Sequence, residues 1–197
     1  MTLNRNKNRF LKKFVPIMVT GLLGLGAVVF CPGLVVANEQ MATFRLLGLF
    51  QPDRSEDFRE IISSKIPDLV VIKIDYDQGI VELKFDPDSL LNKAKPAQYL
   101  ERLENLLRQA SNGTFSLLPL SKTNPAKLEK IEVRIAGLDC KACGFAAYEA
   151  VAKLDGVERA TVSFKEGRLL AWVDPMKINR AMLVDALQKK RVDVLKP

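Results

Sequence analysis

The strongest constraint on how this chain can fold is an internal repeat. Gly79 and the pair Asp86-Pro87 recur 88 residues later as Gly167 and Asp174-Pro175. Around each set the same order of patterns is legible: strand, helix, strand, strand, helix, short strand. In the first copy Phe44, Leu46 and Gly48 start a strand, and Asp53-Arg54-Ser55 opens a helix carrying Phe58, Ile61 and Ile62. Strands Leu69–Tyr76 and Ile80–Phe85 flank the turn Asp77-Gln78-Gly79. A helix over Pro96–Ala110 ends at Asn112-Gly113, and Phe115–Leu118 returns as a strand. In the second copy Ile131, Val133 and Ile135 alternate as a half-buried strand does. Ala147, Val151 and Leu154 recur at helical spacing, and Asp155-Gly156 closes that helix. Ala160, Val162 and Phe164 alternate, Glu166-Gly167 turns, and Leu169, Ala171 and Val173 form the inner face of the next strand. Asn179 caps a final helix with Leu183, Ala186 and Leu187. The expected class is α+β, with two small units that bury more apolar surface packed together than apart.

The expected boundaries follow from these patterns. Residues 1–37 form an export or anchor segment, 41–120 the first unit, 121–127 a polar linker, and 128–197 the second unit. Residues 1–37 begin with Arg5, Lys7, Arg9, Lys12 and Lys13, then run apolar over 14–37, with Val35-Val36-Ala37 at a position a signal peptidase reads. The run is also long enough to remain as a membrane anchor, which needs roughly 20 apolar residues. Both readings imply an extracytoplasmic, periplasmic location. Cys31 falls inside this segment, in a poor lipidation context before Pro32.

The formal charge of +7 is local. Of the 30 basic residues, those five precede every acidic one, which leaves 25 against 23 acidic. The body of the chain is nearly balanced, so no nucleic-acid footprint is indicated.

Once the N-terminal segment is set aside, Cys140 and Cys143 are the two remaining cysteines, and the chain has no histidine. They lie in Gly137-Leu-Asp-Cys-Lys-Ala-Cys-Gly144, at a turn from strand to helix. Two thiolates spaced this way can close on one soft metal ion, and a helix N-terminus favours the thiolate. In an oxidising compartment the same pair can close as a disulfide. Asp139, beside the first cysteine, offers one carboxylate.

These residues, with Ala150-Val151 and Leu154-Asp155-Gly156-Val157, resemble the heavy-metal-associated (HMA) domain over nearly all of Lys130–Val194. That family includes copper chaperones, a periplasmic mercury-binding protein and the soluble domains of metal-pumping ATPases. The resemblance implies a ferredoxin-like βαββαβ sandwich in which Cys140 and Cys143 hold one heavy-metal ion, Cu(I) or Zn(II), Cd(II) or Hg(II). It implies sequestration of that ion, or its delivery to a membrane metal transporter through shared thiolates, and no catalysis. Relatives that serve copper usually carry Thr where Asp139 stands, and those serving zinc, cadmium or lead often carry Asp. Cu(I) is satisfied by two thiolates, whereas Zn(II) accepts a carboxylate oxygen and prefers about four ligands. Asp139 has the alternative role of a loop cap near a helix start.

Some positions depart from the family. Leu138 replaces the usual Met and Val192 a frequent aromatic residue, while Lys189, Lys190 and Arg191 cluster just before Val192. In the first copy the loop reads Gly48-Leu-Phe-Gln-Pro-Asp-Arg-Ser55, so Gln51 and Arg54 fall close to the cysteine positions and Phe50 and Pro52 fill space. The first unit is therefore expected to be a degenerate copy without ligands. Trp172, the one tryptophan, is expected on the open sheet face, as a docking contact or stacked under Arg134. Two rival functions remain: a thiol-disulfide redox protein cycling Cys140–Cys143, and a structural adaptor docking through Trp172.

Overall fold

The structure is a computed structural model that describes residues 38–195. The expected signal or anchor segment lies outside these residues.

The first half runs β1 (Gln40–Leu47), α1 (Arg54–Lys65), β2 (Leu69–Asp75), β3 (Ile80–Phe85), α2 (Pro87–Leu90), α3 (Tyr99–Ala110) and β4 (Ser116–Leu118). Its antiparallel sheet has the order β2-β3-β1-β4. Period-2 patterning sets which face is buried. Along β3, Val81, Leu83 and Phe85 are buried while Glu82 and Lys84 stay half-exposed. Phe58 and Ile62 of α1 and Leu103 and Leu107 of α3 cover that face.

The second half runs β5 (Glu129–Arg134), α4 (Lys141–Ala152), β6 (Val157–Ser163), β7 (Arg168–Val173) and α5 (Arg180–Lys189). Its sheet order is β5-β7-β6. Val194 bridges Ile135 antiparallel, standing in for a fourth strand on the far side of β5. Leu169, Ala171 and Val173 on the central strand are fully buried against Ala147 and Val151 of α4 and Leu183 and Leu187 of α5. Asn179 caps α5, its Oδ1 accepting from the Met182 N–H at 3.1 Å. Both halves are ferredoxin-like α+β sandwiches, with two helices on one face of an antiparallel sheet.

The 88-residue period places β2 on β6 and β3 on β7, then fails. Asp86 Oδ1 accepts from the Asp88 N–H at 2.8 Å and starts the extra helix α2. A 3-10 turn at Pro96–Gln98 follows, and the expected helix begins at Tyr99 rather than Pro96. This insertion is confined to the first half.

The two sandwiches share core. Leu47 and Phe50, from the first half, are buried in the hydrophobic cluster of the second. Arg45 on β1 donates to the Val157 and Glu158 carbonyls at 3.0 and 2.8 Å and pairs with the Glu158 carboxylate at 2.8 Å. These carbonyls belong to β6, an edge strand whose backbone groups would otherwise be open to foreign pairing.

Candidate metal centre

The cysteine turn is built by a short loop and a helix start. After β5, Ile135 and Leu138 are buried and pin the loop at both ends. Gly137 between them has φ +68°, in open space, so it is the backbone conformation that calls for glycine there. Cys140 is extended and sits at the N-cap of α4. Its Sγ accepts from the Cys143 N–H at 3.1 Å, as a serine oxygen would, and its carbonyl accepts from the Gly144 N–H at 3.0 Å. The cap is therefore Cys140 itself, and the alternative role of Asp139 as the helix cap falls away.

The Cα atoms of Cys140 and Cys143 lie 5.2 Å apart and the sulfurs are joined as a disulfide. Cys140 is exposed and Cys143 half-buried. Reduction would release two adjacent sulfurs at a helix N-terminus, where the backbone N–H groups and the dipole favour negative charge. Asp139 is exposed next to Cys140. Among the described residues no three Cys, His, Asp or Glu side chains converge as a ready-made cage. The two cysteine sulfurs are the pair that the loop and helix start bring together.

The helix carrying Cys143 is held from both sides. Gly144 is buried under Phe164: a Cβ at 144 would overlap the Phe164 ring. On the other side stands the first half's loop. Phe50 packs on Phe145 and Tyr148, with ring centroids 5.8 and 5.6 Å apart. Tyr148 Oη accepts from the Gly48 N–H at 2.8 Å, and the Val162 N–H donates to the Phe50 carbonyl at 2.9 Å. Burial pushes the Tyr148 hydroxyl up to about 12, against smaller opposing effects from the Gly48 hydrogen bond and nearby arginines. Lys141, between the cysteines, reaches Asp53 at 2.8 Å, and this hydrogen bond holds its ammonium above the ordinary lysine value.

Helix starts align the two copies differently from the glycines. The residue at the start of α1 that corresponds to Cys140 is Asp53, which places Glu56 opposite Cys143. Gln51 and Arg54 are each displaced by two positions. The loops are equally long, five residues from strand to cap, but the positive-φ glycine comes at once in the first, at Gly48, and later in the second, at Gly137. Phe50 fills space as expected, but in the other half's core. Tyr148 and Phe145 carry only a weak signal in the sequence. Their signal is two large aromatic residues flanking Ala146-Ala147 on a helix that otherwise packs through alanine and valine.

Other expectations also change in detail. Trp172 is half-exposed beneath Arg159, whose guanidinium lies 4.5 Å from the ring centroid, with Lys130 at 5.5 Å. Arg134 is not its cation, because the register sets Arg134 opposite Arg168, whereas Lys130 and Arg159 flank Trp172 directly. Arg159 also lies 5.0 Å from the Tyr76 ring of the first half, so this stack joins the halves. Lys189 is drawn back to Asp185 on its own helix at 2.7 Å, and Val192 packs partly into the second core.

No protein-family model matches this chain. A copper-transporting ATPase 2 from Rattus norvegicus is 27% identical over 122 residues, which cover 62% of this chain and 8% of that relative. The chain thus spans a small fraction of the curated relative it matches. Among solved structures, the CopZ metallochaperone is 25% identical, covering 34% of this chain and all of its own, with a TM-score of 0.33. The N-terminal soluble domains of Bacillus subtilis CopA are 14% identical over 81% of this chain and 94% of theirs, with a TM-score of 0.32. The chain is similar to heavy-metal-associated domains. Of its two ferredoxin-like halves, the second carries Cys140 and Cys143, and the first has neither a cysteine nor a histidine.

Proposed function

We propose that this chain binds one heavy-metal ion through Cys140 and Cys143, with Asp139 as an added oxygen donor for a divalent ion, and hands it to a membrane metal transporter. The observation that carries this reading is the Cys140–Cys143 pair itself: two sulfurs held together at an exposed helix start in an HMA-like half. Exchange suits such a site. An incoming thiolate can reach Cys140 from solvent, so the ion passes through shared coordination without ever being free. The first half supplies no thiol and acts as support. Cu(I), Zn(II), Cd(II) and Hg(II) all suit paired thiolates. The ion is cargo, and no catalytic step is required.

Titration of the reduced chain with Cu(I) and with Cd(II) tests the reading. One equivalent bound by wild type, and none held tightly by the Cys140→Ser/Cys143→Ser variant, is expected. Binding that survives the double substitution would remove the site.

We also propose that the chain works outside the cytoplasm, which the basic start and the apolar run over 14–37 support. N-terminal sequencing from the native host is expected to begin near Asn38, whereas an intact Met1 in the membrane fraction would establish an anchor.

A second reading keeps the same two sulfurs in a thiol-disulfide role, and the Cys140–Cys143 disulfide favours it. A reduction potential far below that of its compartment would mark the bond as static and remove this alternative.

A further inference from the structure

We propose that the Gly48–Asp53 loop of the first half is a clamp that positions the Cys-bearing first turn of α4, with Phe50 as its wedge and Asp53 as its latch. The inference deepens the metal-binding reading and rests on it for its functional consequence, though not for its geometry. In the second half this stretch of a ferredoxin-like unit carries sulfur. In the first half it carries a phenyl ring, and that ring points out of its own domain. Phe50 is 2% exposed, yet it belongs to the second half's core and not to the first's.

The loop is prepared for this role before it meets α4. Arg54 Nε donates to the Gly48 carbonyl at 3.3 Å, and its guanidinium lies 5.4 Å from the Phe50 ring and 4.4 Å from the Phe115 ring. Asp57 fixes the guanidinium from behind at 2.5 Å. Gly48 has φ +102°, and a Cβ there would overlap the Thr114 carbonyl and the Phe115 ring, so the chain can turn outward only with glycine.

Asp53 carries the same logic. It occupies the N-cap position of α1, where aspartate normally accepts a backbone N–H, but makes no side-chain cap bond. Its carboxylate reaches across to Lys141 instead. Lys141 is the first residue of α4 and lies between the two cysteines. The clamp therefore acts on both ends of the segment that must hold its shape when the disulfide is absent: Asp53 at Lys141, and Phe50 at Phe145 and Tyr148. A reduced site so held keeps its two sulfurs facing one ion, and the ion leaves by ligand exchange instead of by fraying of the helix.

Amide hydrogen exchange on the reduced full chain tests the clamp without metal. The reporters are the Cys143 and Gly144 amides, bonded to Cys140, with Leu103 and Leu107 as controls in the first half's own core. Phe50→Ala is expected to speed exchange at Cys143 and Gly144 by about tenfold or more, and to leave the controls unchanged, because local opening there loses its wedge. Asp53→Lys is expected to speed it by about two- to fivefold, the size of an exposed ion pair. The swap Asp53→Lys/Lys141→Asp should return it toward wild type, which a merely structural role for either residue would not do. Cu(I) release to a competing chelator should accelerate in the same order. Unchanged exchange in Phe50→Ala with intact controls would overturn the clamp. If the controls also open, the charge swap decides, and failure of the swap to restore protection would overturn it. A wild type that binds no Cu(I) or Cd(II) would sink the metal reading while the exchange data still decided the clamp.

Discussion

Tyr148 Oη, from the middle of the Cys-bearing helix, accepts the backbone N–H of Gly48 at 2.8 Å across the join between the two halves. Both residues are buried, so this N–H has no access to water. Tyr148→Phe keeps the ring and removes the acceptor. The orphaned donor is expected to cost about 1–3 kcal/mol. Urea unfolding would show it as a lower midpoint at unchanged slope, and a midpoint within error of wild type would mean that the Gly48 N–H finds another partner.

The same hydroxyl gives a pH signature. Burial raises it from an ordinary value of 10.0 to about 12 in the folded chain. Between those values the unfolded chain gives up this proton and the folded chain retains it. The unfolded state then binds fewer protons, so stability falls as pH rises. The contribution is complete below pH 10 and is lost between about 10 and 12, amounting to about 2–3 kcal/mol. Stability in wild type and in Tyr148→Phe should differ by a constant amount below pH 10 and converge as pH rises from 10 to 12. Curves that stay parallel above pH 10 would show that the hydroxyl ionises as freely folded as unfolded.

Gly144 sets how closely Phe164 covers the first turn of α4. A methyl group at 144 overlaps the ring, in a place where helix propensity alone would favour alanine over glycine. Gly144→Ala is therefore expected to destabilise the chain by about 1–3 kcal/mol, as overpacking does, despite the better helix former. Adding Phe164→Leu should recover part of the loss. A stabilised Gly144→Ala would mean that Phe164 swings away freely.

Local pattern carried most of the fold into view. Alternation placed β3, β5 and β7, and the Asp-Pro and glycine punctuation placed their ends, because a period of two and a positive φ are properties of neighbouring residues. The cysteine turn was legible for the same reason. The partnership between the halves was not. Phe50 reads as filler in its own loop, and nothing near it in sequence tells that its pocket is made by Phe145 and Tyr148, about a hundred residues on. Asp53 reads as a helix cap, and only the tertiary fold brings Lys141 to it. Alternation puts Trp172 on the open face but cannot name Arg159 as its cation, since the pairing of β6 and β7 contains a bulge between Val157 and Arg159 that local pattern does not show.

Asp139 is where the sequence and the structure bear together on the choice of ion. Helix capping belongs to Cys140, whose Sγ accepts the Cys143 N–H, so the exposed Asp139 carboxylate is free of that duty. Its removal should then change folding stability by no more than about 0.5 kcal/mol, the range of ordinary surface substitutions. Metal affinity should respond unequally. Cu(I) rests on two thiolates, whereas Zn(II) and Cd(II) would lose an oxygen donor from a short ligand set and replace it with water. Asp139→Ala is expected to weaken Zn(II) and Cd(II) by about tenfold or more and Cu(I) by less than about twofold, a difference of roughly 1 kcal/mol at 25 °C. Competition titrations of the reduced chain against a thiol-free chelator measure both. Equal losses for all ions, or none, would leave Cys140 and Cys143 as the only protein ligands and tilt the site toward the ion that needs two.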